Sequence, residues 1–332
     1  MKNWQKILRI LIRIGLMLLV ILAGAAAYLF WPVSAGALTS HNNPAASYSE
    51  SVQRVKEIQA QEVDGFNPVC KAQLLTHGQK TDRVVILVHG YTTCPAQYSD
   101  LAPMLFEQNN NVLLVPLPRH GLSDRLNEDQ SQLTAAEISA YADTVVDIAQ
   151  GLGDRVIIVG FSLGGVTSAW AIQNRSDIYR GIVISPAFGF KIVPKDLTIA
   201  AMHAYMLLPN SYTWWDPKLE EKLNDVPYAY PRYATRTLSQ TLYLGFNVLA
   251  SARQNPFKAG SAVVVSNVND ENVSIEMIDQ LTADWKKLAP QKVTTYQFPA
   301  SLKLKHDILN PTKEFDLPGL VYPKLIELIQ AP

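Results

Sequence analysis

Residues 155–174 read RVIIVGFSLGGVTSAWAIQN, and no other stretch restricts the architecture of this chain as strongly. An apolar, β-branched run of strand length leads straight into Gly160-Phe161-Ser162-Leu163-Gly164. A helix-compatible run carrying Val166, Ala169, Trp170 and Ala171 follows at once. A strand that reverses into a helix over so few residues needs small residues on both sides of the turn, because β-carbons there meet backbone. The serine between them then stands at the carboxyl end of the strand, beside a helix N-terminus whose free amides and dipole favour negative charge. The bland alternative, a glycine-rich turn with an inert serine, does not account for the strand before it and the helix after it.

Other strand-like runs are VVILV at 84–88, NVLLVP at 111–116, GIVIS at 181–185, AVVVS at 262–266 and VTTYQF at 293–298. They are short and nearly continuous in apolar character, as strands buried on both faces are. Helical patterns lie between them. One covers 96–108. Another starts at Thr134, with Glu137 three residues on as a capping box, continues through Ile138, Tyr141, Val145 and Ile148, and stops at Gly151. The alternation predicts an α/β fold: a mostly parallel central sheet flanked by helices, over residues 66–332. Residues 187–260, rich in Tyr, Trp, Leu and Pro, break the rhythm and read as a mainly helical cap insertion over the ligand-binding edge of the sheet.

Ahead of this domain, residues 14–33 contain no charge, enough to cross a bilayer as one helix. Lys2, Lys6, Arg9 and Arg13 precede them, and no acidic residue occurs before Glu50. Basic residues on the N-terminal side predict a cytoplasmic N-terminus and an exported catalytic domain. The expected order is a basic stub (1–13), a transmembrane anchor (14–33) and a spacer (34–65). The alternatives are a buried helix and a signal peptide cleaved near Ala35-Gly36-Ala37, which would leave a secreted protein. Residues beyond the stub are mildly acidic, which gives no basic surface for nucleic acid. Export permits a disulfide between Cys70 and Cys94, the only cysteines; two small buried thiols are the alternative.

The strand VVILV ends in His89-Gly90-Tyr91, a loop of the kind that supplies a backbone donor to an oxyanion. The amides of Tyr91 and Leu163 are the expected pair, with His89 structural in that loop. Together, VVILVHGY, VPLPRHGLSDR at 115–125 and GFSLGG resemble the α/β-hydrolase superfamily. Within it they are similar to the monoacylglycerol lipase, carboxylesterase and serine-aminopeptidase-like branch. The resemblance spans roughly residues 66–330. It departs at Pro118-Arg119-His120-Gly121-Leu122-Ser123, where the branch commonly has Arg-Gly-His-Gly-x-Ser.

A serine nucleophile needs a base, and the base needs an acceptor that fixes its tautomer. Of six histidines, only His306 follows the last strand, and the chain order serine, acid, histidine selects it. Asp270 lies just past AVVVS, at the position the resemblance implies for the acid. Glu271 is the fallback, and a loop carboxylate capping the helix near Ser274 is the alternative role. Trp214 and Trp215 are candidates for an acyl pocket or for packing. His89 and His120 are candidates for the pocket rim or for loop structure.

The expected activity is hydrolysis of carboxylic esters, with small acyl esters or lipids as substrates and no metal or organic cofactor. The same residues would serve a peptidase, thioesterase or acyltransferase, and a silent binding module is the reading from another class. Leaving group, acyl length and oligomeric state are not encoded in these motifs.

Overall fold

The computed structural model describes residues 2–219, 226–309 and 317–331. Seven strands form the central sheet: β1 (Gln73–Leu75), β2 (Thr81–Val88), β3 (Asn111–Leu114), β4 (Gly153–Phe161), β5 (Arg180–Ile184), β8 (Ser261–Asn267) and β9 (Val293–Phe298). Their order is β1-β3-β2-β4-β5-β8-β9, and only β1 runs antiparallel. A separate two-stranded ribbon pairs β6 (Tyr212–Trp214) with β7 (Arg232–Ala234). The two-stranded ribbon had no signature in the sequence, whereas the short edge strand β1 lies where a strand is expected just after Cys70.

Alternation along the strands builds two cores, one on each face of the sheet. Val84, Ile86, Val88, Val156 and Ile158 enter one. Val85, Leu87, Ile157, Val159 and Phe161 enter the other. Both rows are apolar because helices cover both faces. The first core lies beneath α4 (Ala135–Ala149), α5 (Leu163–Asn174), α7 (Thr235–Ala252) and α8 (Ile275–Leu288). The second lies beneath α3 (Leu101–Phe106) and α10 (Tyr322–Gln330). The capping box is present: the Glu137 amide donates to Thr134 Oγ1, and the Thr134 amide donates to Glu137 Oε2 at 2.9 Å.

Three expectations are corrected. The helix expected over 96–108 shrinks to α3, preceded by a short 3₁₀ turn, Pro95–Tyr98. Proline lacks an amide hydrogen and is tolerated only in a first turn, where Pro103 stands. The cap is also smaller than 187–260. Its helix α6 (Thr198–Leu207) and the ribbon lie outside the sheet layers, whereas α7 packs against α5 and contributes Leu244, Val248 and Leu249 to the first core.

The third correction concerns the N-terminus. The apolar helix α1 spans Lys2–Leu29, not 14–33, and residues Trp4–Leu29 are long and apolar enough to cross a membrane. It ends before Trp31-Pro32, as the conformation preceding a proline requires. Residues 34–65 are not a free spacer. Asn247 Nδ2 donates to the carbonyls of Ser34 and Ala35 at 2.8 and 3.1 Å. Ser40 Oγ and the His41 amide donate to the Asp143 carboxylate at 2.6 and 2.7 Å, and the Asn43 amide to Asp147 at 2.9 Å. Then α2 (Tyr48–Gln61) buries Val55 in the first core, and Ser51 Oγ donates to the Ile148 carbonyl. Asp143 and Asp147 are themselves fixed by the fully buried Arg175, at 2.9 and 2.6 Å.

Candidate active site

β4 delivers Ser162 to the carboxyl edge of the sheet, and α5 starts at the next residue. Ser162 has φ +55° and ψ −113°, a strained setting for a residue with a side chain. The strain persists because both flanks are packed without β-carbons. A β-carbon on Gly160 would stand 1.9 Å from the Gly164 carbonyl oxygen, and one on Gly164 would stand 2.1 Å from that of Val88. The turn thus requires the two glycines that the sequence motif contains.

Parallel strands end on one edge, so the loops after β4, β8 and β9 converge. Ser162 Oγ lies 3.0 Å from His306 Nε2, and His306 Nδ1 lies 2.7 Å from Asp270 Oδ2. Asp270 is fully buried, and its Oδ1 accepts from the amides of Asn272 and Val273 at 2.9 and 3.1 Å. Burial opposes ionisation of Asp270. The hydrogen bond and charge of His306, with the two amides, outweigh it and hold the carboxyl below its ordinary range. The three side chains form one hydrogen-bonded row, from carboxylate through imidazole to hydroxyl.

Leu163 is the first residue of α5, where an amide has no intrahelical acceptor. Facing it, the loop after β2 is set by Gln97, a fully buried side chain that sequence reasoning missed. Gln97 Oε1 accepts from the Gly90 amide at 2.9 Å, which leaves the following amide, that of Tyr91, as the candidate donor to substrate. Gln97 Nε2 donates to Asp307 at 2.9 Å, so one glutamine joins this loop to the loop carrying His306. Asp307 is engaged there and does not serve the imidazole. The Tyr91 hydroxyl donates to Gln130 and accepts from the Ala234 amide, which ties the loop to the ribbon. The Cys70 and Cys94 sulfurs are bonded, so the same loop is also stapled to the segment before β1. Gln97 and Gln130 gave no sequence signal, since each stands among other polar residues in the chain, in PAQYSD and NEDQSQ.

A cavity of about 230 Å³ opens over Ser162 and His306. Trp214, Trp215, Tyr233, Leu238, Phe190 and Val193 line it, with Glu271 at its margin. Trp215 Nε1 donates to Thr92 Oγ1 at 2.9 Å, so the cap rests on the candidate oxyanion loop.

His89 and His120 are not among the residues lining this cavity, so of the two roles open to them the loop role holds and the rim role does not. Both are buried behind the loop. His89 bonds the Gly90 carbonyl through Nδ1 and accepts from the Leu117 amide at Nε2, and His120 Nδ1 bonds the Pro118 carbonyl. Burial, with the neighbouring His120 adding to it, lowers the His89 pKa to about 3, and burial lowers that of His120 to about 4. Unfolding returns both rings to an ordinary value near 6.5. The unfolded chain therefore binds more protons below that value, and stability falls as pH drops from about 6.5 to 4. The expected loss is up to about 1.4 kcal/mol per ring per pH unit in that window. Urea unfolding at a series of pH values measures the slope. It should flatten in a His120→Gln variant, and an unchanged slope would refute the assignment.

The fold and the edge-mounted serine define a hydrolase of the α/β class. A family model, the alpha/beta hydrolase family, matches residues 85–299, and the chain belongs to that family. No curated protein matches it by sequence. Among solved structures it is similar to a metagenome-derived lipolytic enzyme from a study of LipS and LipT. Identity there is 16% and the TM-score 0.58, covering 79% of this chain and 99% of that one. It is also similar to a monoacylglycerol lipase of Paleococcus ferrophilus, at 17% identity and TM-score 0.59, over 78% of this chain and 97% of that one. A soluble variant of the Saccharomyces cerevisiae monoglyceride lipase aligns at 13% identity and TM-score 0.57, over 78% and 89%. At such identities the likeness is one of fold.

Proposed function

We propose that this protein is a serine ester hydrolase, a carboxylesterase or lipase for hydrophobic acyl esters, anchored to a membrane by α1 with its catalytic domain on the exported side. The observation that carries the reading is the relay from Asp270 through His306 to Ser162, at 2.7 and 3.0 Å, beneath an aromatic and aliphatic cavity. His306 Nε2 accepts the Ser162 proton as Oγ attacks the ester carbonyl. The Leu163 and Tyr91 amides receive the developing oxyanion, and each such donor lowers the barrier by roughly 3 kcal/mol. His306 then protonates the departing alcohol. Water, deprotonated by the same imidazole, cleaves the acyl-enzyme and frees Ser162. Asp270, held ionised, keeps the proton of neutral His306 on Nδ1 and stabilises the imidazolium.

The aromatic lining favours an apolar acyl group. Tyr205, Trp214 and Trp215 line the cavity, and Glu271 is the one carboxylate among its lining residues. The test is labelling of the full chain in detergent by a fluorophosphonate probe, followed by a chain-length series of nitrophenyl esters. Labelling with turnover that rises from acetate to longer chains is expected. A folded protein that neither labels nor turns over any ester would rule the reading out.

A further inference from the structure

Helix α6 of the cap runs back along the end of α1. Ile199 shares a cavity with Pro32 and Val33. One turn later His203 Nε2 donates to the Trp31 carbonyl at 2.9 Å, and its ring centre lies 4.9 Å from that of Tyr28. About 5.4 Å further along the helix ends at Leu207, 64% exposed, and the extended Leu208 that follows is 56% exposed. Their position continues the progression from residues 32 and 33 to residue 28, which brings them level with the apolar surface of α1. Tyr205, on the opposite side of the same helix, lines the active-site cavity. Ile192 and Trp215 line that cavity while remaining 87% and 44% exposed, so they mark its mouth. The connection between helix and domain has no slack. Asn247, Asp143 and Asp147 hold the chain from Ser34 to Asn43 against α7 and α4.

We infer that the cap seats on the membrane surface, with the cavity mouth facing the leaflet in which α1 ends. The partner of the exposed rim of Leu207, Leu208 and Ile192 is lipid. The rim's leucines follow on α6 from its contacts with the end of the anchor at Ile199 and His203, and apolar side chains at that level reach about 5–10 Å into the boundary between headgroups and acyl chains. The short tie makes α1 a mount that sets the orientation of the domain rather than a tether. An amphiphilic ester then enters with its acyl chain passing from the leaflet into the cavity. The inference rests on the membrane-anchor part of the proposed function and not on its chemistry.

The test uses the full chain in phosphatidylcholine vesicles with single fluorophores on Leu19→Cys, Ile192→Cys, Leu207→Cys and Lys80→Cys. Cys70 and Cys94 are bonded to each other and do not compete for the label. Lys80 precedes β2 at the amino edge of the sheet, away from the cap. Lipids carrying a nitroxide on the acyl chain should quench most of the emission at 19, 192 and 207 and none at 80. Quenching at 19 without quenching at 192 and 207 overturns the seating and leaves the anchor standing. No quenching at 19 overturns both. Emission at 207 that responds to protein concentration and not to lipid assigns the rim to a second copy and overturns the proposal.

Discussion

Replacing Ser162 with alanine should lower kcat for ester hydrolysis by roughly 10⁴- to 10⁶-fold, the scale of removing a serine nucleophile from a triad. The urea unfolding midpoint should stay near that of the parent, because the substitution removes one oxygen and leaves the turn intact. The residual rate would come from the oxyanion donors and from binding alone. Initial rates on the best nitrophenyl ester measure the effect. The strained backbone of Ser162 makes this informative, since the φ of +55° serves to present Oγ and contributes nothing to stability. A variant retaining a tenth or more of the parent rate, about 1.4 kcal/mol of barrier, would exclude Ser162 as the nucleophile.

The largest expected effect on stability is far from this site. Arg175 is fully buried and bonds Asp143, Asp147 and Asp177 at 2.6 to 2.9 Å. Burial works against its charge, but the three carboxylates outweigh burial and keep it protonated. Arg175→Met would keep the volume and strand two nearly buried carboxylates without a cation. Removing one partner of a buried ion pair costs about 3–5 kcal/mol. Urea unfolding checks the figure, and a loss below about 1 kcal/mol, the level of a surface pair, would show that water reaches the cluster. The same carboxylates accept from Ser40, His41 and Asn43. The variant should therefore also open residues 34–46 to protease sooner than it unfolds the sheet.

The sheet could be read in the sequence because five of its six parallel strands carry a nearly continuous apolar run and the sixth, VTTYQF, is rich in β-branched and aromatic residues, both local properties. The serine turn and His306 were legible for similar reasons: Gly160 and Gly164 are fixed by steric demands inside the turn, and His306 by chain order. What escaped depends on distant partners. Nothing near Ser40 or His41 announces a carboxylate a hundred residues away. The helical character of α7 was expected as part of the insertion, but not that it packs against α5 rather than belonging to the cap. Gln97 looks like any surface amide until two loops close around it. His89 and His120 stayed open between two roles, since a histidine beside a catalytic motif has the same letter whether it faces substrate or the backbone behind it.

β5 and β8 are adjacent in the sheet, yet the cap lies between them in the chain. Along the strands, two interleaved rows feed separate cores, so gaining or losing one residue within a strand would send each row to the wrong side. The connection between β5 and β8 carries no such alternation between its core-bound start, Ala187 to Lys191, and the start of α7. That stretch is where this scaffold tolerates rewriting. Lengthening, trimming or exchanging it between its ties, at Ala187 to Lys191, Trp215 and Ala234, alters what reaches the serine while the sheet that holds it stays in register. Descendants of such a chain can therefore diverge in what they consume while remaining nearly identical in how they cut it.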